Sequence, residues 1–68
     1  MIENNSVTVR DDATGTEHRF HIGTDAYGVV VRHEGTGHSV CFEIFDGRLQ
    51  VLVFRAGEDS PVQQFKFD

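Results

Sequence analysis

Histidine and cysteine are the residue types in this sequence that could bind a metal or act as nucleophiles. His18, His33 and His38 share one face of the strands predicted below, and imidazole nitrogens are common zinc ligands. Neither C-x-x-C nor H-E-x-x-H, two spacings typical of metal or redox sites, occurs in the chain. We therefore predict no metal site and interpret these histidines as partly exposed structural residues near one end of the sheet. A zinc site at this trio is the open alternative.

Groups suited to catalysis are equally hard to find. Cys41 lies in the middle of a predicted strand among apolar residues, whereas a reactive thiolate needs a cationic environment and a histidine partner. Adjacent acids occur at 11–12 and 58–59, but both pairs lie in turn-like segments, and neighbours on a strand point to opposite faces. A small barrel fills its interior with side chains and leaves little room for a substrate. The sequence thus predicts a protein that is not an enzyme, with no catalytic residue and no cofactor.

The composition indicates one small domain over residues 1–68, because a chain of this length has too few residues to bury a second core. It contains 11 acidic and 6 basic residues, with a formal net charge of −5 and a pI of about 5.1. One cysteine cannot form an intrachain disulfide, on which small secreted domains usually depend. Residues 1–10 lack the basic and apolar segments of a signal peptide. We therefore expect a cytoplasmic protein without a membrane partner.

The elements that must position these residues are β-strands. Alternating apolar and polar residues, rich in β-branched and aromatic types, predict strands over 6–11, 16–22, 27–33, 38–45, 48–55 and 62–67. Short segments with turn residues separate the runs, so strands adjacent in sequence should pair antiparallel, as a meander. The predicted fold class is all-β, with six short antiparallel strands and no substantial helix.

The Asp46-Gly47 dipeptide gives the most specific structural prediction, a two-residue type I′ hairpin turn. This turn sets Phe45 opposite Arg48 and Phe42 opposite Val51. One face of the hairpin is then wholly apolar, so the turn chemistry and the hydrophobic pattern indicate the same register.

The same alternation extends an apolar face across all six strands. A four-residue loop at 23–26 would place Phe20 opposite Val29, and a loop at 34–37 would place Val31 opposite Val40. A two-residue turn at 36–37 would change the second register but not the faces. The predicted core, here called the apolar face, comprises Val7, Val9, Phe20, Ile22, Tyr27, Val29, Val31, Val40, Phe42, Ile44, Leu49, Val51, Val53, Phe65 and Phe67. Such a face must be covered, so we expect a small barrel, a strongly curled sheet, or a sandwich formed with a second copy.

The opposite side of the sheet, here called the charged face, has an apolar row at its centre. Val30, Cys41 and Leu52 should lie side by side, with Arg19 and Lys66 flanking the row. Phe54 and Phe45 share this face. Five of the six basic residues also have this parity: Arg10, Arg19, Arg32, Arg48 and Lys66. Because most acids lie at or beside turns, the pattern is an apolar patch with a charged rim, which is typical of a binding surface.

We predict a small acidic binding protein that acts through a protein–protein interface, as an adaptor or a stoichiometric inhibitor. The predicted contact residues are Val30, Leu52, Phe54, Phe45, Arg19 and Arg32, together with the acidic Asp11, Asp12, Glu58 and Asp59. Acidic loops suit a basic, nucleic-acid-binding partner, by analogy of size and charge with the antagonists of nucleic-acid enzymes that phages and mobile elements carry. The alternative is direct nucleic-acid binding by the charged face, which a net charge of −5 opposes. Homodimerisation through sheet packing is a further alternative.

Overall fold

A six-stranded antiparallel meander makes up the regular structure of the chain. The computed structural model describes residues 5–67. Its strands are β1 (Asn5–Asp11), β2 (Thr16–Thr24), β3 (Gly28–His33), β4 (Ser39–Phe45), β5 (Arg48–Phe54) and β6 (Gln63–Lys66), paired in the order β1-β2-β3-β4-β5-β6. The predicted all-β antiparallel fold is therefore confirmed. No helix long and apolar enough to cross a membrane occurs within these residues.

The β4–β5 hairpin forms as its turn sequence predicts. Asp46 and Gly47 both adopt positive φ, at 55° and 76°, as a type I′ turn requires. Phe45 lies opposite Arg48 and Phe42 lies opposite Val51. Glycine tolerates positive φ without strain, and aspartate is among the residues that tolerate it best, so this dipeptide fixes the register locally.

The β2–β3 register differs from the predicted one by four residues. Phe20 lies opposite His33 instead of Val29, which pairs with Thr24. The cause is the Asp25 side chain, whose Oδ1 accepts hydrogen bonds from the backbone N of Tyr27 at 2.7 Å and of Gly28 at 2.8 Å. This aspartate turn lets β2 continue to its end at residue 24. Because the shift is an even number of residues, the paired side chains of β2 and β3 keep their predicted faces.

The sheet is open, and the expectation of a closed barrel is wrong. Among residues 5–67, β1 pairs only with β2, and β6 pairs only with β5. Closure would require β1, with 7 residues, to pair along β6, which has only 4. The Cα radius of gyration is 13.3 Å, whereas a compact domain of this length has about 11 Å. The chain therefore forms one curled layer.

The apolar face forms with the predicted parity but is not a buried core. One of its rows runs through Val29, Phe42, Val51 and Phe65 on four successive strands. Most of the exposed large apolar side chains belong to this face: Val7, Val9, Val29, Phe42, Ile44, Leu49, Phe65 and Phe67. Within residues 5–67 the one apolar side chain classed as buried is that of Cys41, on the other face. A single layer has no second layer to pack against, so the predicted burial is not achieved within one chain.

Candidate protein-binding site

The apolar row predicted on the charged face is present, with different neighbours at its ends. Val30 lies opposite Cys41, which lies opposite Leu52. Gly23 and Gln64 end the row, so the prediction that Arg19 and Lys66 flank it is wrong. The β2–β3 shift of four residues moves Arg19 roughly 13 Å along the strand direction.

Polar side chains cross the charged face one row away from these apolar residues. Gln50 donates a hydrogen bond through Nε2 to Glu43 Oε1 at 3.2 Å, and Gln64 donates through Nε2 to Gln50 Oε1 at 3.5 Å. Lys66 lies opposite Gln50 on the edge strand. This belt leaves Val30 and Leu52 half-buried, and Phe54, next to them opposite Ser39, is also half-buried. The centre of the charged face is therefore a recessed apolar strip.

An exposed aromatic pair stands at one end of the sheet, beside the Asp46-Gly47 turn. Tyr27 and Phe45 are 54% and 57% exposed, and their ring centroids lie 5.9 Å apart in an edge-to-face arrangement. Arg48 lies directly opposite Phe45 and helps to line a depression of about 180 Å³ together with Lys66. We call Tyr27, Phe45, Arg48 and Lys66 the aromatic corner.

The aromatic corner corrects the sequence prediction for one residue. Tyr27 was expected on the apolar face, but its ring contacts Phe45, a residue of charged-face parity. The backbone at this point still continues the β3–β4 ladder, because Ile44 N donates to Tyr27 O at 3.0 Å. Tyr27 lies within the turn made by Asp25, immediately before β3 begins at Gly28. The signal in the sequence is the Asp25-Ala26-Tyr27-Gly28 segment, in which an aspartate, rather than Gly23, makes the turn.

The predicted acidic contact residues lie at the other end of the sheet. Asp11 is the last residue of β1 and Asp12 begins the β1–β2 turn, whereas Glu58 and Asp59 belong to the β5–β6 connection; all four are exposed. In an antiparallel meander these two connections share one end, opposite to the β4–β5 turn. Asp11 also has a structural role, because its Oδ1 accepts a hydrogen bond from Ala13 N at 3.0 Å.

Two of the three predicted histidines are in side-chain contact, and the third is not. His18 Nδ1 lies 2.8 Å from His33 Nε2, and His33 Nδ1 accepts a hydrogen bond from Thr36 N at 3.1 Å. The acceptor role of Nδ1 leaves the His33 proton on Nε2, which can donate to His18. His38 pairs with His33 through the backbone, yet its Nδ1 accepts from Ala56 N at 3.0 Å. The His18 and His33 side chains therefore contact each other, whereas the His38 side chain has a separate partner.

Two contacts on the charged face were missed by the sequence reasoning. Glu34 Oε1 lies 2.6 Å from His21 Nε2. This hydrogen bond, with the positive charges of His21, Arg19 and Arg32, lowers the pKa of Glu34 below its usual value. His21 lies opposite Arg32 only because of the shifted β2–β3 register, which the sequence did not reveal.

The second missed contact is a cluster of Asp25, Cys41 and Glu43, whose ligand-type atoms lie within 4.8 Å of one another. The hydrogen bonds from Tyr27 N and Gly28 N lower the pKa of Asp25. Burial, followed by the negative charges of Glu43 and Asp25, raises the pKa of the Cys41 thiol. A thiol held in its protonated form is a weak nucleophile and a weak metal ligand.

Comparisons with protein-family models, with curated proteins and with solved structures gave no match for this chain.

Proposed function

We propose that this protein binds another protein, without catalysis, through its charged face, with the aromatic corner as the main contact. The observation that supports the proposal is the exposed Tyr27–Phe45 pair, held by two tight turns beside Arg48 and Lys66. Tyrosine and arginine are the residue types that, with tryptophan, contribute most to binding energy at interfaces.

The energetics of these side chains favour a partner. Covering a phenylalanine side chain that was fully exposed is worth about 1.5–3 kcal/mol, and both aromatic rings here are more than half exposed. Their positions are fixed by backbone hydrogen bonds at Asp25 and by the type I′ turn, so little conformational entropy is lost when a partner covers them.

The rest of the charged face extends this contact towards the acidic turns. Leu52, Val30 and Phe54 form the recessed strip between the two ends of the sheet, and Arg32 and Arg19 lie on the same face. Asp11, Asp12, Glu58 and Asp59 are exposed at the far end. Their charge would attract a basic protein, such as one that itself binds nucleic acid, and would accelerate its association.

The test is a comparison of two affinity-tagged variants with the wild type. The double variant Tyr27→Ala, Phe45→Ala removes the aromatic pair, and Val62→Ala removes an exposed apolar side chain from the β5–β6 connection. We expect a partner that is retained by the wild type and by Val62→Ala. In calorimetry with the purified partner, the double variant should bind at least 30-fold more weakly, equivalent to about 2 kcal/mol. Equal affinity of the wild type and the double variant would contradict the proposal.

Fluorescence anisotropy with labelled single-stranded DNA and RNA tests the alternative. The protein-partner proposal predicts no binding at physiological salt, because the net charge is −5. Binding that weakens with salt, and that Arg19→Gln and Arg32→Gln abolish, would assign the charged face to nucleic acid instead.

A further inference from the structure

The apolar face carries no ionised side chain in its central rows. In one of these rows apolar residues pair across four strands, from Val29 through Phe42 and Val51 to Phe65. In the next row they pair from Ile22 through Val31 and Val40 to Val53. Strand alternation sends five of the six basic residues to the other side, for example Arg32, which follows Val31 along β3. A protein with a net charge of −5 thus presents one side that is almost free of charge.

The area of this chain exceeds that of a self-sufficient monomer. A folded monomer of 7.6 kDa exposes about 4,300 Å² by the usual scaling with mass, whereas this chain exposes 5283 Å². The excess of roughly 1,000 Å² is comparable to the about 800 Å² that each partner covers in a standard protein–protein interface. The excess is therefore about the size of one subunit's share of a standard interface.

The packing leads to the same requirement. Cys41, at 8% exposure, is the one apolar residue classed as buried between residues 5 and 67. A sheet in one layer cannot offset the conformational entropy of folding without a second layer over its apolar side. A second layer must therefore cover the apolar face whenever the chain is folded. Obligate interfaces between subunits have this property.

We propose that the cover is a second copy of this chain, packed face to face through the apolar face as a two-layer sandwich. A copy brings an uncharged face of the same kind, so two molecules of charge −5 can meet without placing like charges in contact. Sheets pack in this way about 10 Å apart, with interdigitated side chains, and a two-fold axis makes the interface self-complementary. The charged face, with the aromatic corner, then lies outward on both subunits.

The first test is the mass and the thermal stability of the wild-type protein. Light scattering after gel filtration should give the mass of two chains. Dilution from 100 µM to 1 µM should lower Tm by about 5–10 °C, because dissociation accompanies unfolding. A single-chain mass with a Tm that does not change on dilution would overturn the proposal, as would a larger assembly or a chain with no cooperative transition.

The second test uses two phenylalanines three positions apart on β4. Phe42 is on the apolar face and 43% exposed in one chain, and Phe45 is on the charged face and 57% exposed. Phe42→Glu should abolish the dimer, and Phe45→Glu should leave its mass unchanged. Because a charge on the apolar face can also unfold the chain, carbene footprinting of the wild type gives an independent result: Phe45 should be labelled at least five-fold more than Phe42.

Comparable labelling of the two rings in the wild type would show that Phe42 is open to water and would overturn the dimer. It would not affect the proposed function, which depends on Phe45 and Tyr27. Conversely, loss of partner binding cannot produce or remove protection at Phe42. The two proposals can therefore fail separately.

Discussion

The two faces of this sheet are built from the same strands and differ mainly in where the charge lies. The apolar face has rows such as Val29–Phe42–Val51–Phe65 with no ionised group. The charged face has Cys41 at its centre, between Val30 and Leu52, and the amides and carboxylate of Gln50, Gln64 and Glu43 lie one row away. Strand alternation enforces this division, because each residue sends its neighbours to the other side. A single sheet can thus supply one face suited to permanent burial and an opposite face suited to reversible binding.

The largest difference between the two faces is expected in the free energy of unfolding, when adjacent residues of β5 are each replaced by serine. Val51→Ser places a hydroxyl on the apolar face, and Gln50→Ser changes a side chain of the charged face. We expect Val51→Ser to reduce the free energy of unfolding by about 2–3 kcal/mol and Gln50→Ser to reduce it by about 0.5 kcal/mol. Urea titrations of both variants at one protein concentration measure the difference. Equal losses would mean that the faces do not differ in energetic role.

The sequence was sufficient for the features that depend on local chemistry. Asp46-Gly47 predicted the β4–β5 register to the residue, because both positions need positive φ and no other pairing satisfies them. The faces of the paired strand residues were also correct, since parity survives any even change of register, and the exception is Tyr27, which lies in the Asp25 turn.

The sequence was insufficient where a side chain or a missing layer decides the structure. Asp25 ends β2 by accepting hydrogen bonds from two backbone N–H groups. The sequence analysis instead started the loop at Gly23, so its predicted β2–β3 pairing differs by four residues from the observed one. The same error hid the contact between His21 and Glu34 and displaced Arg19 from the apolar strip. Whether an apolar face closes on itself or stays open is not encoded in its alternation, so the barrel expectation failed.

A smaller effect is expected on Tm at low pH, because the carboxylates that become protonated there do not lie in the central rows of the apolar face. The pKa values of Asp25 and Glu34 are lowered from 3.8 and 4.5 by their hydrogen bonds from Tyr27 N and His21. Their stabilisation is therefore complete above those values and is lost as the pH falls through the lowered ones. We expect the Tm of the wild type to decrease below about pH 4.5. The Tm of the double variant Asp25→Asn, Glu34→Gln should decrease less over the same pH range.

Circular dichroism melts between pH 2.5 and pH 7 provide the measurement, with Glu17→Gln as a control because Glu17 is also exposed on the charged face. Parallel Tm curves for the wild type and the double variant would show that these two carboxylates do not contribute. The central apolar rows have no group that titrates in this range, so Phe42 should remain protected from labelling until the chain unfolds.

The smallest effect is expected on the alkylation rate of Cys41, the most buried residue of the charged face. Burial raises the pKa of its thiol, and the carboxylates of Glu43 and Asp25 raise it further. Glu43→Gln removes one of these charges, so the fraction of thiolate at pH 8.5 should increase and alkylation by iodoacetamide should become a few-fold faster. Glu17→Gln, far from the cysteine on the same face, should leave the rate unchanged. Mass spectrometry of the native protein over time gives both rates. If Glu43→Gln reacts no faster, access through the packed face, rather than the charge around the thiol, limits the reaction.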